Sequence, residues 1–458
     1  MKKHRIVALL MIALLMLGVM AGCGAPNKEP SQEPTAAPET SAPVATDETV
    51  TLEFMHTFWV EAMVGVLNDA VAAFEADNPN IKINQTQVSW TDANSQYMTS
   101  IMGGKAPDII VTNPGLLASF RGINALADIT DRIPDDLMAN LKPIAVDIIT
   151  NAEGRIDGMP EEGCNWALFY RKDLFEEAGL DPDKAPANWE ELVEYAKALT
   201  KDTDGDGVID QWGYGWPVQA ENANDYWINF MYQAGGNFDV YNPETGAYES
   251  NLTGAEATLG TQFMVDLVRK DKVSPESLVE MDWEAVTNGF VDGTFAMMHN
   301  GAWVVGSVHS KGPDIEGKWG TALLFDGPAG AAYRGHPNTF NITNASTKQD
   351  QAWQFLEYLY TQGADTNADG LTWVEQLCLA GGALCYTNSY EQYAYDTYED
   401  LLIPFVDASA GAKVPPMDPA WMTFSELYGI TAVQRMIMGE VSVEDGLQQL
   451  DANLKSLQ

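Results

Sequence analysis

Residues 158–200, GMPEEGCNWALFYRKDLFEEAGLDPDKAPANWEELVEYAKALT, read as one supersecondary unit. The run Trp166 to Tyr170 is apolar, too short for a helix and bounded upstream by Gly163, which makes it a buried strand. A short helix follows from Arg171 to Ala178, stopped by Gly179 in the left-handed position past its end. Asn188 then caps a second helix, with Glu190 and Glu191 at its positive N-terminus. Along that helix Leu192, Val193, Ala196 and Leu199 recur at helical spacing, so one face is buried.

Upstream, Val50 to His56 alternates as a strand, a helix runs from about Ala62 to Asp77, and Ile81 to Val88 forms a second strand. Asp108 to Thr112 repeats the strand pattern, which indicates an α/β lobe with a largely parallel sheet. Ligands of such sheets sit beyond the C-terminal strand ends. Trp59, Glu61 and Asn113 occupy those ends and are candidate ligand contacts, although Trp59 also reads as a helix-packing aromatic.

The opening stretch joins an ordered series: GKAPDII (104–110), GFVDGTFAMMHNGAW (289–303), AWQFLEYL (352–359) and GEVSVEDGL (439–447). With these motifs the chain from about residue 49 resembles extracellular solute-binding proteins, in the class that contains maltose-binding protein and serves ABC sugar importers. The resemblance implies an α/β, two-lobed periplasmic-binding-protein-like fold of the class II type, each lobe a mostly parallel sheet flanked by helices, with a hinge between them. It places residues 50–163 and about 326–360 in the N-terminal lobe, and 164–325 and about 361–458 in the C-terminal lobe. The first crossing then falls near Glu161 to Asn165 and the return near Phe325 to His336. Asn165, Trp166, Trp216 and His336 lie at or near strand ends and crossings. Asp225 and Trp227 fall in the register of the family's sugar contacts. Trp303 matches the tryptophan of an N-G-x-W turn that stacks on sugar, and Trp421 precedes a C-terminal helix that supplies an aromatic contact in relatives.

The chain has 458 residues, enough for more than one core, and a formal net charge of −40. Such acidity excludes nucleic acid, whose phosphates need a basic face. Lys2, Lys3 and Arg5, the apolar run Ile6 to Val19, and Met20-Ala21-Gly22 before Cys23 form a lipoprotein signal over residues 1–22, with Cys23 the lipidated residue; a plain secretory signal cut nearby is the alternative. The apolar run is too short for a stable membrane span. Residues 23–49 are rich in Pro, Ala, Thr, Ser and Glu and read as a disordered tether. Cys164, Cys378 and Cys385 remain; three thiols cannot all pair, and Cys378 with Cys385 can close a small loop or stay free.

Asp202, Asp204, Asp206, the Val208 carbonyl and Asp210 match the first nine positions of an EF-hand loop, with Gly213 where the bidentate glutamate would stand. Structural Ca²⁺ is one reading and a metal-free Asp/Gly turn the other. Asp365, Asn367 and Asp369 form a second, weaker match, with Gln376 at position 12.

A pyranose offers an apolar face to flat rings and a hydroxylated edge to Asp, Glu, Asn and His. The expected function is accordingly capture of a carbohydrate, an oligosaccharide, by a monomer tethered to the membrane, and its delivery to the transmembrane subunits of an ABC permease. The alternatives are a non-sugar ligand on the same fold, or an extracellular glycoside hydrolase, for which no acidic pair stands out.

Overall fold

The computed structural model describes residues 49–458 apart from 59, 220–222, 382 and 391–398. Cys23, the leader, most of the tether and the candidate Trp59 lie outside the described residues.

The strands in chain order are β1 (Val50–His56), β2 (Ile81–Gln87), β3 (Ile109–Thr112), β4 (Met159–Cys164), β5 (Trp166–Arg171), β6 (Asp239–Asn242), β7 (Ala247–Ser250), β8 (Met297–Gly301), β9 (Trp319–Ala322), β10 (Tyr333–Arg334), β11 (His336–Ile342) and β12 (Ala412–Lys413). Five of them form one sheet in the order β2-β1-β3-β11-β4. The β2-β1-β3 part is parallel, while β11 runs antiparallel to β3 and β4. The helix Glu61–Asp77 covers this sheet with Met63, Leu67, Ala70, Val71 and Phe74, the spacing of one helical face. Phe355 from the helix Gln349–Thr361 meets Phe54 and Phe74 edge-on at 6.0 and 5.1 Å, closing the core.

A second sheet has the order β8-β5-β9. Here the expected parallel arrangement does not hold: β5 pairs antiparallel with both neighbours, and the parallel contacts are the isolated bridges Trp212↔Phe295 and Gly215↔Met298. β5 is buried along its whole length, as its apolar run requires. Gly179 has φ +74°, and Asn188 Oδ1 accepts the Glu191 amide at 2.9 Å, so the second helix begins where its cap residue stands. That helix, Trp189–Leu199, buries Trp189, Leu192, Tyr195, Ala196 and Leu199, with Val193 half-buried at the margin.

One residue, Asn165, separates the last strand of the first sheet from β5 of the second. The chain returns between β9 and β11, and His336 of β11 pairs with Cys164 of β4. The two connecting strands therefore lie side by side. The assignment of everything beyond 361 to the second half needs correction. The helix Trp373–Gly381 packs on Glu61–Asp77 and on β4, burying Val374, Leu377 and Cys378. The helices Ile430–Ile437 and Val443–Leu457 do pack on the second sheet's helix Ala255–Arg269.

Candidate functional site

The side-by-side crossings determine which side chains meet. Trp166 opens β5 opposite Gly301, the last residue of β8. Its indole stacks on the His336 ring, centroids 5.6 Å apart and 26° between planes. Trp303 stands edge-on to Trp166 at 5.1 Å and is only partly buried, and Tyr226 closes the far side at 5.8 Å. Gly301 is needed beneath this cluster, because a Cβ there would fall 1.8 Å from the Trp303 ring.

Behind the rings sits a buried ion pair, Arg334 Nη1 to Asp225 Oδ2 at 3.0 Å. Arg334 Nη1 also lies 2.5 Å from His336 Nδ1. A guanidinium can only donate, so Nδ1 accepts and the imidazole proton resides on Nε2. Burial, and then the Arg334 charge, hold the His336 pKa well below its ordinary value, although the Asp225 carboxylate is 3.6 Å away. The imidazole is a neutral N–H donor at neutral pH.

Two residues along β11, Asn338 donates to Glu162 Oε1 at 2.9 Å. Glu162 lies beside Gly381 and Met63, at the first turn of the helix Glu61–Asp77. Burial raises its carboxyl pKa to about 7. Glu161 is also raised, by burial first and by Glu162 second. Several buried polar atoms along these strands make no hydrogen bond among the described residues: Asn165 Oδ1, Trp166 Nε1, Glu161 Oε1 and Asn338 Oδ1, together with His56 Nδ1 and Thr57 Oγ1 past the end of β1. Unpartnered buried polar atoms are costly, and a ligand's hydroxyl groups are one way to satisfy those that lie beside the rings.

The structure brings together Trp166, Asp225, Trp303 and His336, and puts Asn165 at the crossing, where its amide holds Phe405 O and Ser409 Oγ at 3.0 Å each. Other expected contacts require correction. Trp227 is fully buried and donates to Thr261 Oγ1 at 2.8 Å, tying two helices together. Trp216 is sealed against Tyr214 and Phe230. Trp421 is buried edge-on to Phe238 at 4.7 Å, filling the space above Gly115. All three are closed off from solvent, as Trp166 is, and of the indoles named Trp303 is the partly exposed one. Glu61 is exposed at its helix start, and Asn113 spends its carbonyl oxygen capping the helix Pro114–Gly122, accepting from Leu116 N at 2.9 Å. Sequence reasoning missed Tyr226, Arg334, Glu162 and Asn338. An arginine between Tyr333 and Gly335 and paired glutamates before Gly163 were the available signals.

Away from this cluster, Asp202, Asp204 and Asp210 bring oxygens within 4.8 Å of one another, the only such acidic group among the described residues. Gly205 and Gly207 adopt φ of +81° and +92° and aim their amides at the Asp202 carboxylate, both at 2.7 Å. The Gly207 amide foremost keeps Asp202 below the usual carboxylate range. Asp206 turns away to accept the Val208 amide at 2.8 Å. In the second loop Asn367 Nδ2 and Gln376 Nε2 both donate to the Gly363 and Leu371 carbonyls, at 2.8–3.2 Å. Amide N–H groups thus engage the carbonyl oxygens of that turn, leaving Asp365 and Asp369 exposed at its rim.

Residues 62–366 match the family described as bacterial extracellular solute-binding protein. The chain is 28% identical over 318 residues to a lactose-binding protein of Rhizobium radiobacter, an alignment spanning 66% of this chain and 68% of the relative. Among solved structures it is similar to a cyclic alpha-maltosyl-1,6-maltose binding protein from Arthrobacter globiformis, with TM-score 0.73, 23% identity and coverage of 89% and 99%. It is likewise similar to an ABC substrate-binding protein from Listeria monocytogenes in complex with cycloalternan, with TM-score 0.72, 22% identity and coverage of 89% and 98%. These likenesses extend over almost the whole described fold, and the family match includes both crossings and every strand of the two sheets except β1. The chain belongs to the bacterial extracellular solute-binding protein family.

Proposed function

We propose that this protein captures an oligosaccharide at the crossing of its two sheets and delivers it to an ABC-type importer. The observation that carries the reading is the Trp166–Trp303–His336 ring cluster set beside Glu162 and Asn338, with unpartnered buried polar atoms on the same strands. Rings cover the apolar face of a pyranose while carboxylate, amide and imidazole N–H groups take its hydroxyls. Ligand held between both sheets would favour a closed arrangement by its differential affinity for that state. The sugars in the names of the relatives agree with this chemistry. A thermal-shift screen of mono- and oligosaccharides tests it. Ligand at a hundred times its dissociation constant adds about 2.7 kcal/mol. Trp303→Ala should weaken binding by roughly tenfold to a hundredfold, the loss of one aromatic platform, with the unliganded protein still folded. An affinity unchanged by that substitution removes Trp303 from the site, and release of cleaved sugar would support the hydrolase instead.

The same proposal includes a lipid anchor at Cys23, supported by the signal pattern and by a lipoprotein among the relatives. Labelled fatty acid should enter the wild type and not Cys23→Ser. It also includes structural Ca²⁺ held by Asp202, Asp204 and Asp210, whose donor set is the hard-oxygen type that ion takes. No ion is assigned to the second loop, where amide donors already bridge the carbonyls.

A further inference from the structure

Cys378 and Cys385 are buried thiols. They lie at the corner where the helix Trp373–Gly381 ends, Cys378 in its last turn and Cys385 just beyond it, and each thiol perturbs the other's titration. The Cys378 thiol donates to the Glu161 carbonyl at 3.3 Å. The Thr387 hydroxyl donates to Cys385 Sγ at 3.5 Å. Between the two sulfurs the backbone doubles back, Ala383 N reaching Cys378 O at 2.9 Å. The next residue, Leu384, forms a bridge with Gly163 of β4, donating to its carbonyl at 2.9 Å. This corner therefore touches β4 on both sides of Glu162, just before the chain crosses at Asn165.

We propose that Cys378 and Cys385 form a disulfide in the exported protein, and that this bond pins the corner to β4 and fixes Glu162 for ligand contact. The apposed sulfurs and the folded-back loop supply the geometry; the bond closes a short loop and restrains the unfolded chain. One balanced route starts from Cys385, exposed while the chain folds. Its thiolate attacks the disulfide of an external dithiol oxidant while the corner is still open during folding, releasing one oxidant thiolate. Cys378 then loses its proton to the solvent and attacks Cys385 Sγ, expelling the second oxidant thiolate. Two protein thiols become one S–S bond, and one oxidant disulfide becomes two thiols. The carbohydrate reading does not depend on this bond, and either can fail without the other.

The test uses mature protein recovered from an oxidising extracytoplasmic compartment. It is denatured in excess iodoacetamide without reductant and mapped by peptide mass. The expected result is a linked Cys378–Cys385 peptide with Cys164 alkylated. Alkylation of both Cys378 and Cys385, or a link that includes Cys164, overturns the proposal. As a second reading, dithiothreitol should lower the melting temperature of the wild type by about 3 °C. The Cys378→Ser/Cys385→Ser variant should melt at the reduced value and ignore the reagent. A wild type whose melting temperature does not respond to dithiothreitol overturns the pinning role even if the bond forms.

Discussion

Glu162 shows how a buried carboxyl strains the protein that carries it. Burial holds its carboxyl at about 7 against an ordinary 4.5. The native state therefore keeps a proton that the unfolded chain surrenders as pH rises from about 4.5 to about 7. Stability falls across that window, and the cost is fully felt above it. Glu162→Gln removes the ionisation while Asn338 can still donate to the side-chain oxygen. Chemical denaturation of the unliganded variant at pH 8 should show it more stable than wild type, by on the order of 3 kcal/mol, with the advantage vanishing near pH 4.5. Its carbohydrate affinity should fall at the same time, because a carboxylate accepts hydroxyl donors better than an amide does. A variant less stable than wild type at pH 8 would show that Glu162 is held by partners and not by desolvation. His336 is a different case. Burial first, and then Arg334, keeps it neutral, so its donor role should persist unchanged from pH 8 down through 6.

Local sequence signals succeeded where one element's own chemistry determines its shape. Asn188, Gly179 and the spacing of Leu192, Ala196 and Leu199 locate two helices, and β5 follows from its apolar run. Asn188→Ala should cost about 1 kcal/mol in equilibrium unfolding, the loss of a cap; no measurable change would mean that tertiary packing alone defines that helix start. The Asp202–Asp210 loop is legible for the same reason. There, chelation should lower the melting temperature and Ca²⁺ restore it, with Asp202→Asn abolishing the response; a wild type indifferent to both is a metal-free turn. The site itself was only half legible. Trp166, Trp303 and His336 sit at strand ends and crossings that motifs mark, with Asp225 in the first turn of a helix, but Trp216, Trp227 and Trp421 read much the same in sequence and are sealed against Tyr214, Thr261 and Phe238. Which way an indole faces depends on partners such as Thr261 and Phe238, far away along the chain. Arg334 and Glu162 escaped notice because a buried charge is recognised by its partner, and Asp225 and Asn338 come from remote segments.

Across the molecule, the antiparallel β11 joins the proposed site's two halves. It completes the first sheet between β3 and β4 and carries His336 and Asn338 past the crossing at Asn165. Trp166 of the second sheet then stacks on His336 of the first, two residues along β11 from the Asn338–Glu162 pair. On the proposed reading, no single segment holds both halves of a sugar's chemistry, and the pair of crossings supplies them. Calorimetric titration of lactose and malto-oligosaccharides into the wild type, Trp303→Ala and Glu162→Gln tests that claim most directly. The account predicts saturable one-to-one binding to the wild type with a negative heat-capacity change, and affinity lost in both variants. No saturable binding of any sugar to the wild type, or equal affinities in all three proteins, would contradict it.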